Sequence, residues 1–127
     1  MTRQGFVALL GALAGLSAVA LGAFAAHGAS TEQARAWLET GAHYQMMHAF
    51  AVFAALAFER WGATRARFSV WFFFFGMIFF GGSLYGLAFG APRVAGAVAP
   101  IGGVSYMIGW AFLAWAAPQL GRARAAE

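Results

Sequence analysis

Cysteine is absent from the sequence, which excludes disulfides, thiolate metal sites, iron–sulfur clusters and a cysteine nucleophile. Lysine is absent too, so the formal charge of +4 comes from arginines alone, set against 4 acidic residues. Charges of both signs make up only 9% of the chain, where a soluble domain carries about 25%. A water-facing shell cannot be built from so few. The arginines stand singly or in small groups at the ends of apolar runs, as membrane topology requires. They form no phosphate-binding stripe, so nucleic acid is not expected as a partner.

What is abundant is apolar: 62% of the residues are hydrophobic and the mean hydropathy is +0.70. Four spans of about 20 residues each would use nearly all of the 127 residues as a single transmembrane domain, leaving no room within them for an extramembrane enzyme domain. The first run, Gly5 to Ala26, follows Arg3 and ends in Ala-Phe-Ala-Ala, so it also resembles a cleavable signal peptide. At about 22 residues it is long for the apolar region of such a peptide, and it is read as span 1.

Ser30 to Gly41 is polar and reads as a short interfacial amphipathic helix over about 31–41, capped by Ser30 at capping-box spacing from Gln33 and anchored by Trp37. It runs, with or without a break, into span 2, Ala42 to Phe58. That span is the least apolar because it holds His43, Gln45 and His48, so it should face protein and not lipid. A basic connection with Arg60, Arg65 and Arg67 precedes the Phe-rich span 3, Phe68 to Phe89. After the Ala91-Pro92-Arg93 turn comes span 4, Val94 to Ala117, ended by Pro118. It either kinks at Pro100 or begins its regular helix there. The expected fold is an all-α integral membrane four-helix bundle with the interfacial helix between helices 1 and 2.

The amino end, middle loop and carboxyl end hold Arg3, Arg60, Arg65, Arg67, Arg122 and Arg124, against Arg35 and Arg93 in the other two loops. The positive-inside rule then puts both termini in the cytoplasm, with the Ser30 segment and the Pro92 turn outside.

Helices in a bilayer associate along seams of small residues. Such seams recur at three-four spacing on span 1 (Gly11, Gly15, Ala18, Gly22, Ala25), span 3 (Gly76, Ser83, Gly86, Gly90) and span 4 (Gly102, Ser105, Gly109, Ala116), with Gly103 beside the last. Gly82, Gly86 and Gly90 also form a repeated Gly-x-x-x-Gly pattern, suited to packing within the chain or to a homo-oligomer.

Depth along each helix follows from the rise of 1.5 Å per residue. His48 lies about 9 Å below the outer start of span 2, with Tyr44 and Gln45 one turn above it. Ser83 and Tyr85 lie about 9 Å and 6 Å from the outer end of span 3, and His27 ends span 1. Two readings stand. These groups hydrogen-bond across helices, the imidazole serving a carbonyl freed by Pro100; or His27, Tyr44, Gln45, His48, Ser83 and Tyr85 line an outer-leaflet pocket that binds or transports a small hydrophobic or ionic ligand.

His43 and His48 are turned about 140° from each other and cannot share an ion. His27 with His48 has no carboxylate or thiolate to complete a site, so neither metal nor cofactor is expected. Ser83 and His48 lack an acidic orienter, since all 4 glutamates lie outside the spans, and no enzyme is expected.

Gly22-Ala23-Phe24-Ala25-Ala26-His27-Gly28, Tyr44-Gln45 with His48, Gly82-Ser83-Leu84-Tyr85, and Pro100-Ile101-Gly102-Gly103 followed by Gly109-Trp110 occur in this order. Together they resemble a family of small four-helix membrane proteins of unknown function whose eukaryotic relatives include transmembrane protein 256. In that pattern Ala25 is usually glycine, Gly81 commonly serine and Ala99 commonly threonine. The last two changes remove hydroxyls from the pocket and speak against a strongly polar ligand. The resemblance implies a bacterial inner-membrane or mitochondrial setting and supplies no activity. The function expected from the residues is a non-enzymatic accessory or scaffold subunit that engages the lipid bilayer, further copies of itself or a larger membrane complex.

Overall fold

The computed structural model describes residues 1–125, and among them every regular element is helical. The side chain of Arg124, counted above in the charge asymmetry, lies outside the described residues. Helix α1 (Arg3–Gly28) is capped by Thr2, whose Oγ1 accepts from the Gly5 amide at 3.0 Å. Helix α2 (Glu32–Arg60) is continuous, so the segment expected at the interface forms its first turns without a break. Its cap is Thr31 and not Ser30: the Thr31 hydroxyl accepts from the Ala34 amide at 3.0 Å, one residue later than the spacing to Gln33 suggested.

At 29 residues α2 is roughly 43 Å long against a hydrocarbon core of about 30 Å, so about ten residues extend beyond the core. The polar turns from Glu32 onward account for that excess. There Arg35 donates to Glu39 at 2.8 Å along the exposed face.

The third rod, Thr64–Ala88, is less regular than its Phe-rich sequence suggests. It opens with a 3₁₀ segment (Thr64–Phe68), continues as α3 (Ser69–Gly76), widens into a π turn (Met77–Gly81) and closes as α4 (Gly82–Ala88). Past it, Gly90 adopts φ +98°, a conformation open to glycine, so this last residue of the expected seam makes a turn. A 3₁₀ segment (Arg93–Val98) leads into α5 (Ala99–Ala116). Pro100 sits in the first turn of α5, where its missing N–H costs nothing, so the helix begins there and does not kink. Helix α6 (Gln119–Ala125) follows Pro118.

These rods form an all-α four-helix membrane bundle. Three helices, Arg3–Gly28, Thr64–Ala88 and Arg93–Arg122, are long and apolar enough to cross a membrane. Helix α2 matches them in length but is more polar, and it takes the central place, with α1 on one side and the third rod on the other. Burial against protein removes its polar groups from lipid. The third rod in turn packs on α5, with Phe73 and Val70 fully buried at the contact.

The seams of spans 1 and 4 do the packing. Gly11 lies against Val52 and Phe53, Gly22 against Ala42, and Ala18 and Ala25 are buried. On α5, Gly102, Ser105, Gly109 and Ala116 are all buried, with Gly102 against the Phe80 backbone and Gly109 against the Phe73 ring. Gly82 and Gly103 are exceptions: a Cβ at either would meet nothing within 4 Å. Gly86 faces only Ala91 of the following turn, so the Gly-x-x-x-Gly pattern is not a seam inside this chain.

At the Arg3 end of the bundle, Arg3 Nη1 binds both Glu59 oxygens at 2.8 and 2.9 Å and its Nη2 donates to the Arg67 carbonyl at 3.0 Å. Beside it, the Arg65 guanidinium lies 4.2 Å above the Trp115 ring.

Candidate functional site

The six residues expected to share one pocket are divided among four environments. Gln45 is buried and ties three rods together. Its Nε2 donates to the Ala14 carbonyl and to Ser17 Oγ, both at 2.7 Å, and its Oε1 accepts from the Tyr85 hydroxyl at 2.7 Å. Tyr85 reaches it by lying flat over Gly41, where any Cβ would stand 2.6 Å from the ring.

His48 faces α5 instead. Its Nε2 lies 3.1 Å from Trp110 Nε1, and its Nδ1 lies 2.6 Å from the Tyr44 carbonyl of its own helix. An indole N–H can only donate, so Nε2 accepts, the ring is neutral and its proton is on Nδ1. The imidazole therefore serves Tyr44 and not a carbonyl freed by Pro100. Its ring stacks on Tyr106 with centroids 3.5 Å apart and planes 9° from parallel. Tyr106 is in turn pressed against Gly76, whose missing Cβ makes room for it. Tyr44 completes the stack, 6.2 Å from His48 and 4.8 Å from Phe80.

Ser83 belongs to neither group. Its hydroxyl donates to the Ala95 carbonyl at 2.6 Å and joins α4 to the following 3₁₀ segment. Ser83 and His48 thus spend their hydrogen bonds on other partners and form no nucleophile–base pair. His27 is exposed at the end of α1. Since Gly22 pairs with Ala42 and Gly15 with Met46, His27 lies about 18 Å along the bundle from the level of His48, toward the Gly28 end of α1. Among the described residues no cluster of three or more His, Asp or Glu is placed to hold a metal ion.

Sequence reasoning gave no polar or stacking role to Ser17, Ser105, Tyr106 or Trp110, although it named Ser105 in a seam and Trp110 in a motif. Ser105 donates to the Phe72 carbonyl at 2.7 Å. Tyr106 carried a readable signal: it interrupts the small-residue seam of α5 between Gly102 and Gly109, so a matching hole was required opposite, and Gly76 supplies it. Its hydroxyl is the one buried side-chain polar atom among the described residues without a hydrogen-bond partner.

Two grooves flank these groups. One of about 570 Å³ is lined by Tyr44, Met47, Phe80, Met107 and Trp110 beside His48. Another of about 700 Å³ lies between α1 and the third rod, with Ser17 and Gln45 in its walls. Both are open and mainly apolar.

Parts of the motifs behind the resemblance pack within the chain, although His27, Gly82 and Gly103 do not. Phe24 lies over Gly28 and reaches Phe89, at 5.6 Å between centroids, while Ala25 is buried. Residues 21–103 match the family model described as "Protein of unknown function (DUF423)". The chain is 45% identical over 107 residues to the UPF0382 membrane protein of Haemophilus influenzae, covering 82% of this chain and 86% of that one. It is 39% identical over 108 residues to a UPF0382 membrane protein of Staphylococcus saprophyticus, covering 83% and 90%. It is 37% identical over 127 residues to the UPF0382 inner membrane protein YgdD of Escherichia coli K12, covering 92% of each. No solved structure matches. The fold, the four separated motifs and these relatives together make the chain a member of the DUF423 (UPF0382) family of small membrane proteins of unknown function.

Proposed function

We propose that the chain is a multi-pass protein of the bacterial inner membrane, with both termini cytoplasmic, that works as a non-enzymatic accessory or scaffold subunit. One observation carries this reading: the polar side chains expected to form the pocket's core, Gln45 and His48, have already committed their hydrogen bonds within the chain, and the Tyr106 hydroxyl alone among the described buried side-chain groups has not. Gln45 is saturated by Ala14, Ser17 and Tyr85, and His48 by Tyr44 and Trp110. Such groups act as joints between helices and leave little for a substrate. What is offered outward is helix surface, including the unused Gly82 face of α4. The gathering of Arg3, Arg60, Arg65 and Arg67 at one end of the bundle supports the orientation.

Native mass spectrometry from nanodiscs tests the role. Assemblies in multiples of the 13.4 kDa chain, or containing another polypeptide, are expected, and Gly82→Leu should weaken contacts made through that face. A monomer without partners overturns the reading. With no native cysteine, single cysteines at the exposed Gln33 and Thr64 should label from opposite sides of the membrane; labelling from one side overturns the orientation.

A second reading, an apolar ligand in the groove beside His48, is favoured by that groove's volume of about 570 Å³ and its aromatic walls. It predicts a small-mass adduct that is lost on His48→Phe.

A further inference from the structure

Among the described residues the Arg3 end of the bundle holds several arginines but one carboxylate, Glu59, and the arginines are not equivalent. Arg3 takes Glu59 through a single nitrogen and anchors itself on the Arg67 carbonyl. Arg65 is laid over Trp115, and its backbone amide donates to Gln119 Oε1 at 3.0 Å. Arg67 lies 4.9 Å above the Phe68 ring. Arg60, like Arg122 near the carboxyl end, makes no hydrogen bond, ion pair or ring contact among the described residues, and of these two it is Arg60 that lines an open groove of about 550 Å³ between the first turns of α1 and the last turns of α2.

That groove is graded in polarity. At its mouth stand the Arg60 guanidinium, the Gln4 amide and the Thr2 hydroxyl, three donors, while Ala8, Leu56 and Ala57 form the floor. Ala8 and Leu56 each lie four residues deeper than Gln4 and Arg60 along their helices, about 6 Å toward the bilayer centre. Trp61, exposed at the rim, is the kind of side chain that sits at headgroup level. Among the described residues no carboxylate lines the groove, and the neighbouring one, Glu59, is held by Arg3.

We infer that this groove is a binding site for an anionic phospholipid, its phosphate held by Arg60, Gln4 and Thr2 and an acyl chain lying over Ala8, Leu56 and Ala57. A single net negative charge fits better than a zwitterion, because the groove's described lining supplies a cation and neutral polar groups but no carboxylate to pair with an ammonium group. The apolar floor calls for a lipid and not for free phosphate. The inference does not depend on the scaffold reading, since a monomer retains the groove; it fails or stands separately from it.

Native mass spectrometry of delipidated protein in a neutral detergent, with phosphatidylglycerol or phosphatidylethanolamine added at equal concentration, tests it. Phosphatidylglycerol should be retained about fivefold more strongly, as expected for one basic side chain at the membrane surface. Arg60→Gln should abolish that preference, whereas Arg60→Lys and Arg67→Gln should keep it. Ala57→Phe, which fills the floor without changing charge, should reduce retention of both lipids. Equal retention of the two lipids by the wild type, or an undiminished preference in Arg60→Gln, overturns the proposal. Should Arg60→Gln fail to give a helical bundle by circular dichroism, Ala57→Phe decides alone, and unchanged retention in it overturns the site. Displacement of the lipid by millimolar inorganic phosphate overturns the lipid assignment.

Discussion

A methyl group added at Gly15 of α1 would come to 4.0 Å from the Met46 sulfur, and one at Gly22 to 3.9 Å from the Ala42 Cβ, both ordinary contacts. Added at Gly109 of α5 it would stand 2.5 Å from the Phe73 ring, and at Gly102 it would run into the backbone nitrogen of Phe80. The two seams look alike in sequence: small residues at three-four spacing along an apolar run. Physically they differ. Helix α1 rests against α2 with room to spare at Gly15 and Gly22 and closes up at Gly11, where a Cβ would stand 3.2 Å from the Val52 and Phe53 side chains, whereas α5 and the third rod are in near backbone contact, with a tyrosine set into the space left by Gly76. Close approach is what stabilises helix pairs in lipid, so the α5 seam should resist change more strongly than the α1 seam.

Gly102→Ala should produce the largest effect. Phe80 can yield at this contact only by moving the rod, and overpacking of that kind costs about 1–3 kcal/mol and occasionally more; the upper end is expected here. Gly22→Ala should go the other way, neutral or stabilising by up to about 1 kcal/mol, because alanine is the better helix former and has space. Unfolding of both variants by dodecyl sulfate titration in mixed micelles, followed by circular dichroism, measures the pair. Destabilisation of similar size at the two positions would erase the distinction between the seams.

If α1 is held loosely by shape, its attachment must rest more on polar ties, and Gln45 is the obvious one. Gln45→Leu removes the bonds to Ala14 and Ser17 and leaves the Tyr85 hydroxyl without its acceptor. At about 0.6 kcal/mol per interhelical bond, with the orphaned hydroxyl in addition, a loss of about 2 kcal/mol is expected. Ser105→Ala, on the tightly fitted side, gives up one bond to a carbonyl of the facing helix and should cost about 0.6 kcal/mol. Equal losses in the two variants, by the same titration, would mean that both sides depend on hydrogen bonds alike.

The helices, their number and the seam faces of spans 1 and 4 could be read in the sequence because apolar length and three-four spacing belong to one helix at a time; the seam expected on span 3 could not, since Gly86 and Gly90 serve the turn that follows. Even the burial of α2 could be read, since His48 and Gln45 are costly against lipid. The pairing of polar groups could not. Tyr44, Gln45 and His48 lie within one turn of α2, yet Gln45 looks toward α1 and α4 while His48 looks toward α5, and a few tens of degrees of helix rotation decide between one pocket and two joints. His27 was grouped with them on depth alone, and depth counted from a helix end ignores the extra turns by which α2 overhangs the bilayer. The π turn at Met77–Gly81 has no marker in sequence: no proline falls within it, and it is seen only where Phe80 meets Gly102.

The smallest expected effect lies at Trp110, and it distinguishes a joint from a ligand site. Trp110→Phe keeps the aromatic surface over Phe73 and removes only the donor to His48 Nε2. Because Trp110 is half exposed at the edge of a groove, about 0.6 kcal/mol is a fair ceiling for the lost bond. A stability curve would barely register it, so the informative readout is the nitrogen spectrum of the imidazole. In the wild type one ring nitrogen should carry the proton given to the Tyr44 carbonyl and the other should show the upfield displacement of an acceptor bonded to an indole N–H. In Trp110→Phe only the second signal should move, toward that of a free acceptor. If both nitrogens shift together, the ring has changed tautomer or partner, and His48 is not the fixed neutral joint on which the contrast between the two sides of α2 depends.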